Sequence, residues 1–214
     1  MKFKRDGEWD TLTYREFLSQ VRNISEALVK TCHIRPGDRV ALLGANSPEW
    51  CAIHYAITGI AAIAVPIDVK LQEQEVTHIL SDSGASALLM DSAGEANILE
   101  LAGRCPHLRN IILFGEQKPE LDEEKARGLQ LHDFDEVLAA SKEQSEGHHA
   151  AYDKYQPKEE DTASFIYTSG TTGRQKGAML THANFTGNLR SIDAAIEILP
   201  DDNFMVILPL HHSF

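Results

Sequence analysis

Two hydrophobic rhythms alternate along the first half of the chain. Thr13-Tyr-Arg-Glu16 reads as a capping box, and apolar residues then fall at Phe17, Val21, Ile24, Leu28 and Val29, one face of a helix. The helix is expected to stop near Lys30 or Thr31, ahead of the turn signal Arg35-Pro-Gly-Asp38. Val40 to Leu43 is a short, continuously apolar run and reads as a strand. Ser47 then caps a helix with Pro48 at its first position and Glu49 at its positive end. From Trp50 to Ile67 no residue is charged, a length that would suit a short membrane span. Gly59, Pro66, His54 and Thr58 interrupt it, so it reads as a buried helix, Pro48 to about Ile60, followed by a buried strand, Ala62 to Ile67. A helix from about Gln72 to Ser81, a strand Ala87 to Met90, a helix from about Ala93 to Gly103 and a strand Asn110 to Phe114 complete the series. Strands that are apolar throughout, alternating with helices, predict an α/β fold with a largely parallel sheet layered with helices. Such sheets bind ligands beyond the carboxyl ends of their strands.

The rhythm breaks between Gly115 and Asp161. This segment carries fourteen acidic and six basic residues, so it supplies −8 of the chain's net charge of −12. One short helix, Phe134 to Ala140, is expected there, and the rest reads as a solvated surface excursion, mobile after Ser141. His148 and His149 are adjacent, have no third ligand nearby and read as surface loop rather than metal site. The pattern resumes with a strand Ala163 to Tyr167, a short strand Gly177 to Thr181, a helix Ala183 to Leu199 and a strand Phe204 to Leu208. Pro209 to Phe214 then reads as the loop after a core strand, which suggests a portion of a longer protein. An incomplete core bares apolar surface, which a homodimer could cover.

Charge and cysteine usage narrow the classes. An acidic chain lacks the basic face that nucleic-acid phosphates require. Cys32, Cys51 and Cys105 form no CxxC pair and fit a reducing, cytoplasmic compartment. The opening MKFKRDGEWD is charged throughout and has no apolar signal core.

The chemistry concentrates in YTSGTTGRQKG, Tyr167 to Gly177. Ser169, Thr171 and Thr172 offer hydroxyls, Gly170 and Gly173 let backbone N–H groups converge, and Arg174 and Lys176 add positive charge. That set suits a polyphosphate. It is no Walker loop, because Gln175 stands where the second Gly belongs and Gly177 follows Lys176 where Ser or Thr is required. It contains no GxGxxG, and apolar strands on both sides argue against a linker.

This stretch resembles the signature loop of the adenylate-forming enzymes, which include acyl-CoA synthetases, firefly-type luciferases and peptide-synthetase adenylation domains. Gln175 replaces the family's usual Pro. The segments LTYREF, GDRVALLGANSPEW, VPIDVKLQEQEVTHILSDSGA, MLTHANF and LPLHH are similar to the family as well, with His211 in an aromatic slot. The resemblance implies that residues 1–214 are an incomplete N-terminal part of the family's large domain, with 115–161 an acidic excursion and 163–214 the phosphate loop and the start of the next sheet. It implies that Thr168, Ser169, Gly170, Thr171, Thr172, Gly173 and Lys176 hold the β- and γ-phosphates of ATP, and that His212 lies beside the acyl site, against the simpler reading of a structural histidine at a strand end. The implied reaction joins a carboxylic acid, most like a fatty acid, to AMP with release of pyrophosphate, and then transfers the acyl group to the thiol of coenzyme A. ATP, Mg2+ and coenzyme A are its cofactors. The family's adenine, ribose, magnesium and catalytic-lysine positions follow this region, so residues 1–214 alone are expected to be inactive. A peptide-synthetase adenylation domain and a non-catalytic nucleotide-binding or assembly module are the alternatives.

Overall fold

A computed structural model describes residues 1–5, 7–91, 104–115, 128–145, 150–169, 174–199 and 201–212. The chain opens with an antiparallel hairpin, β1 (Lys2–Arg5) and β2 (Glu8–Thr11), whose residues are mostly exposed. Helix α1 (Tyr14–Lys30) follows. Its capping box forms as expected: the Glu16 N–H donates to Thr13 Oγ1 at 3.2 Å, and the Thr13 N–H donates to Glu16 Oε2 at 2.8 Å. Next come β3 (Arg39–Leu43), α2 (Pro48–Gly59), β4 (Ile63–Ile67), α3 (Glu73–Ser83), β5 (Ala87–Asp91) and β6 (Asn110–Phe114). Ser47 caps α2 by accepting from the Trp50 N–H at 3.0 Å. The helix expected over Ala93 to Gly103 lies outside the described residues. The later elements are β7 (Gln130–Asp133), α4 (Phe134–Ser145), α5 (Ala150–Lys154), β8 (Thr162–Ser169), β9 (Gln175–Thr181) and α6 (His182–Ala195).

Among the described residues, seven strands form one sheet in the order β7-β6-β5-β3-β4-β8-β9. Every pairing is parallel except the β8–β9 hairpin. Alternate residues of each strand feed two cores. Val40, Leu42, Ala64, Leu89 and Ile112 pack with α1, α2 and the Phe134 end of α4. Ala41, Leu43, Val65, Leu88 and Ile111 pack with Val76, Ile79 and Leu80 of α3. Burial on both faces is why the strand sequences are apolar without alternation. The eighteen-residue uncharged run divides into α2 and β4 as expected, and no helix among the described residues is long and apolar enough to cross a membrane.

Three expectations change. The acidic segment is partly built into the fold, because β7 extends the sheet at one edge and α5 docks on α1 and α2. The buried Glu26 carboxylate accepts from the Ala151 N–H, and the Tyr152 ring lies so close over Gly59 that a Cβ there would come within 2.6 Å. Strands β8 and β9 extend the same sheet rather than opening another. Residues Phe204 to Leu208 do not form a strand; they run exposed, with no neighbouring ladder to pair with among the described residues. Strand propensity alone does not make a strand without a partner.

His54 of α2 stacks on Trp50, with ring centroids 5.4 Å apart and planes 11° from parallel. Burial pushes its imidazole down to about 4, and nearby His182 acts in the same direction. The unfolded chain therefore binds this proton more readily, so the stabilisation is present above about pH 6.5 and is lost as pH falls toward 4. Between pH 7 and pH 5 this one residue is expected to remove about 2 kcal/mol of unfolding free energy. Urea unfolding at the two pH values checks it: His54→Gln is expected to lose correspondingly less stability than the unsubstituted protein on acidification.

Candidate functional site

The parallel strands all point one way, so their carboxyl ends share one edge of the sheet. Three segments of interest meet this edge. Asn46 follows β3, Asp68 follows β4, and Ser169 ends β8, the strand beside β4.

The segment Leu208 to His212 is docked on that edge. Asn46 Nδ2 donates to Leu208 O at 2.9 Å, and the Leu210 N–H donates back to Asn46 Oδ1 at 2.9 Å. One amide side chain thus reads the backbone of this segment as a neighbouring strand would. His211 Nε2 lies 3.4 Å from Asp68 Oδ2. Burial pulls the His211 imidazole down, while the Asp68 carboxylate partly opposes it. The two histidine rings are 4.4 Å apart, and His212 is the exposed member of the pair. His212 also borders a hollow formed with Met205 to Leu210.

Strands β8 and β9 form an antiparallel hairpin whose last described pairs flank the glycine-threonine segment in sequence. Thr168 pairs with Lys176, and Ser169 pairs with Gln175. Thr168 and Lys176 are directly opposite, so both project from one face of the sheet, and both are exposed. A hydroxyl and an ammonium side by side at the mouth of the loop are the donor set a phosphate accepts from. Gly170, Thr171, Thr172 and Gly173 lie outside the described residues. Among the described residues no group of three or more His, Cys, Asp or Glu is placed to hold a metal ion.

The other face of the hairpin rests on α3. Tyr167 OH donates to Asp82 Oδ2 at 2.7 Å. Burial, with the bond to Asp82 second, pushes the Tyr167 phenol well above its ordinary range. His78 Nε2 sits 2.9 Å from the Gln175 carbonyl. A carbonyl only accepts, so this nitrogen carries the proton. Gln175 Nε2 donates to Glu75 Oε1 at 3.4 Å, while Glu75 Oε2 accepts from the Gln72 N–H at the start of α3. Gly177, opposite Tyr167, is required by the ring across from it: a Cβ would come within 2.9 Å of Tyr167 Cζ.

Sequence reasoning located the hairpin and the Leu208 to His212 segment but missed Asn46, Asp68, Glu75, His78 and Asp82. A signal for the last three was available. Positions 75, 78 and 82 share one helical face, beside the apolar face formed by Val76, Ile79 and Leu80.

A family model described as AMP-binding enzyme matches residues 2–214. The chain belongs to the AMP-binding enzyme family. Over 97% of its length it is 29% identical to a peroxisomal long chain acyl-CoA synthetase of Arabidopsis thaliana, covering 29% of that protein. It is 31% identical to a long-chain-fatty-acid–CoA ligase of Mycobacterium bovis, covering 97% of the chain and 33% of the relative. The chain thus spans about a third of the length of these curated relatives. Among solved structures, the o-succinylbenzoate CoA synthetase of Bacillus subtilis in complex with an acyl-adenylate intermediate superposes with a TM-score of 0.70 at 26% identity, over 95% of this chain and 45% of that one. The α/β architecture with its mostly parallel sheet is therefore that of the family.

Two predictions test these contacts. Gly177→Ala is expected to destabilise the protein by about 1–3 kcal/mol, because a ring must shift to admit the methyl. In a denaturation series, combining it with Tyr167→Ala is expected to cost less than the sum of the two single changes. Asn46→Ala is expected to accelerate amide hydrogen exchange at Leu210 without changing exchange at Leu42 in the sheet centre.

Proposed function

We propose that this chain supplies the ATP-phosphate and acyl-site edge of a fatty-acid–CoA ligase. The observation that carries the reading is the pairing of Thr168 with Lys176 across β8 and β9, at the carboxyl edge of a parallel sheet. In this reading Thr168 to Gly173 and Lys176 hold the β- and γ-phosphates. The first step brings together two anions, a carboxylate and the α-phosphate of ATP. Lys176 offsets part of the charge, and backbone N–H groups of the loop stabilise the pyrophosphate as it leaves. Magnesium, where bound, would add further positive charge beside the phosphates. The acyl-adenylate is then consumed by the thiol of coenzyme A. His212 sits beside the acyl group, at the end of the segment that Asn46 clamps and Asp68 faces.

The relatives named above are ligases that make acyl-CoA esters, which favours coenzyme A over a peptide-synthetase carrier as the acceptor. A fatty acid is the substrate class that those names favour. In this reading the adenine, ribose and catalytic-lysine positions lie outside residues 1–214.

Pyrophosphate exchange is the direct test. The full-length protein that carries this chain is expected to exchange labelled pyrophosphate into ATP when given a long-chain fatty acid. Lys176→Met is expected to reduce that exchange at least tenfold. Residues 1–214 alone, shown folded by circular dichroism, are expected to give none. Exchange by the isolated chain would remove the assignment of the missing machinery to other residues. Absence of exchange by the full-length protein with any carboxylic acid would remove the ligase reading itself.

A further inference from the structure

The phosphate loop is tethered at both of its ends to a single helix, and the tethers are polar side chains that packing alone does not require. On the entry strand, the Tyr167 hydroxyl donates to Asp82 at 2.7 Å. On the exit strand, His78 binds the carbonyl of Gln175 at 2.9 Å, and Glu75 accepts from the Gln175 side chain at 3.4 Å. Val76, Ile79 and Leu80 fasten the same helix to the sheet core. Its other face is therefore free to act as a rigid bracket for the hairpin. Ser169 and Gln175 are the last paired residues before the loop, so the exit tether lies at the first residue where the loop rejoins the sheet.

We propose that the Glu75, His78 and Asp82 face of α3 is a positioning device that fixes the mouth of the phosphate loop. These are positioning residues and do not touch phosphate themselves. The inference rests on the phosphate-loop reading above. Its physical basis is that a glycine-rich loop binds phosphate well only if its ends are held; otherwise part of the binding free energy is spent on ordering it. Gln175 matters twice. Its carbonyl accepts from His78, as any residue's carbonyl there could, but its side chain adds a bond to Glu75 that proline could not make.

The test uses the full-length protein, with limited trypsin cleavage at the exposed Arg174 as a direct probe of loop opening. His78→Leu and Asp82→Ala are each expected to raise that cleavage rate about five- to tenfold. His78→Gln, which keeps a donor, is expected to restore most of the protection. In pyrophosphate exchange, the two disruptive variants are expected to raise KM for ATP severalfold and leave KM for the fatty acid unchanged. Tyr167→Phe, which removes the same tether as Asp82→Ala with less change in volume and charge, serves if that variant fails to fold. Unchanged cleavage in the disruptive variants would overturn the tether. Faster cleavage with an unchanged KM for ATP would overturn its functional role. If the unsubstituted protein shows no exchange at all, the ligase reading fails and the positioning role falls with it. The cleavage data would still report whether the helix restrains the hairpin.

Discussion

A parallel sheet must be covered on both faces, and that one requirement organises the molecule. The central strand β3 sends Val40 and Leu42 into one core and Ala41 and Leu43 into the other, with none of the four leaving more than a trace of surface to water. Each strand added beside it must satisfy the same two layers. Helices α1 and α2 close one side and α3 closes the other. The carboxyl ends of the strands are left as the edge where backbone is not yet covered. Polar residues appear at that edge, at Asn46, Asp68, Asp91 and Thr168, because side chains there need not be apolar.

The two layers also explain which parts of the fold could be read from the chain. Where a segment is buried, its pattern is unambiguous: β6 matches its expected bounds from Asn110 to Phe114, and α2 begins at Pro48 behind its Ser47 cap. Where the decision depends on a partner, the pattern is silent. The β1–β2 hairpin is charged and exposed, so no periodicity marks it. Strand β7 is a four-residue edge strand containing His132 and Asp133, and its state is decided by its pairing with β6. Phe204 to Leu208 shows the reverse case, an apolar run with high strand propensity and no ladder to join among the described residues. Helix α6 falls between the two. The spacing of Phe185, Leu189 and Ile192 is helical, and the helix forms, yet it ends at Ala195 rather than near Leu199 and buries none of its residues.

The candidate site divides along the same line. The loop's own residues were legible because their chemistry is local: hydroxyls, glycines and a lysine close together in sequence. The groups that bond to the β8–β9 hairpin and to the Leu208 to His212 segment were not. Asn46, Asp68 and the α3 trio lie far from their partners in sequence, and only the order of strands brings them together. Gly177 is instructive here. It is expected to open a short strand and sits within β9, but its lack of a side chain, which makes room for Tyr167, depends on a partner ten positions away.

That strand order has a kinetic consequence. Strand β8 pairs with β4 although the whole of 68–161 separates them, and Ser164 seals the junction by donating its hydroxyl to Ala64 O at 2.9 Å. The Asn46 clamp spans a still longer separation, 162 and 164 positions to its two partners. Closing such distances in an unfolded chain costs entropy before any contact returns it, and topologies dominated by distant pairings fold slowly. The cost rises only logarithmically with length, so the acidic insertion between the two halves adds little to it. Docking of the β8–β9 hairpin on β4 and of the Leu208 to His212 segment on Asn46 therefore carries a large loop-closure cost, although the hairpin's own pairing is local. Each needs β3 or β4 in place to dock against, so the carboxyl edge of the sheet is held by contacts that join the early and late parts of the chain.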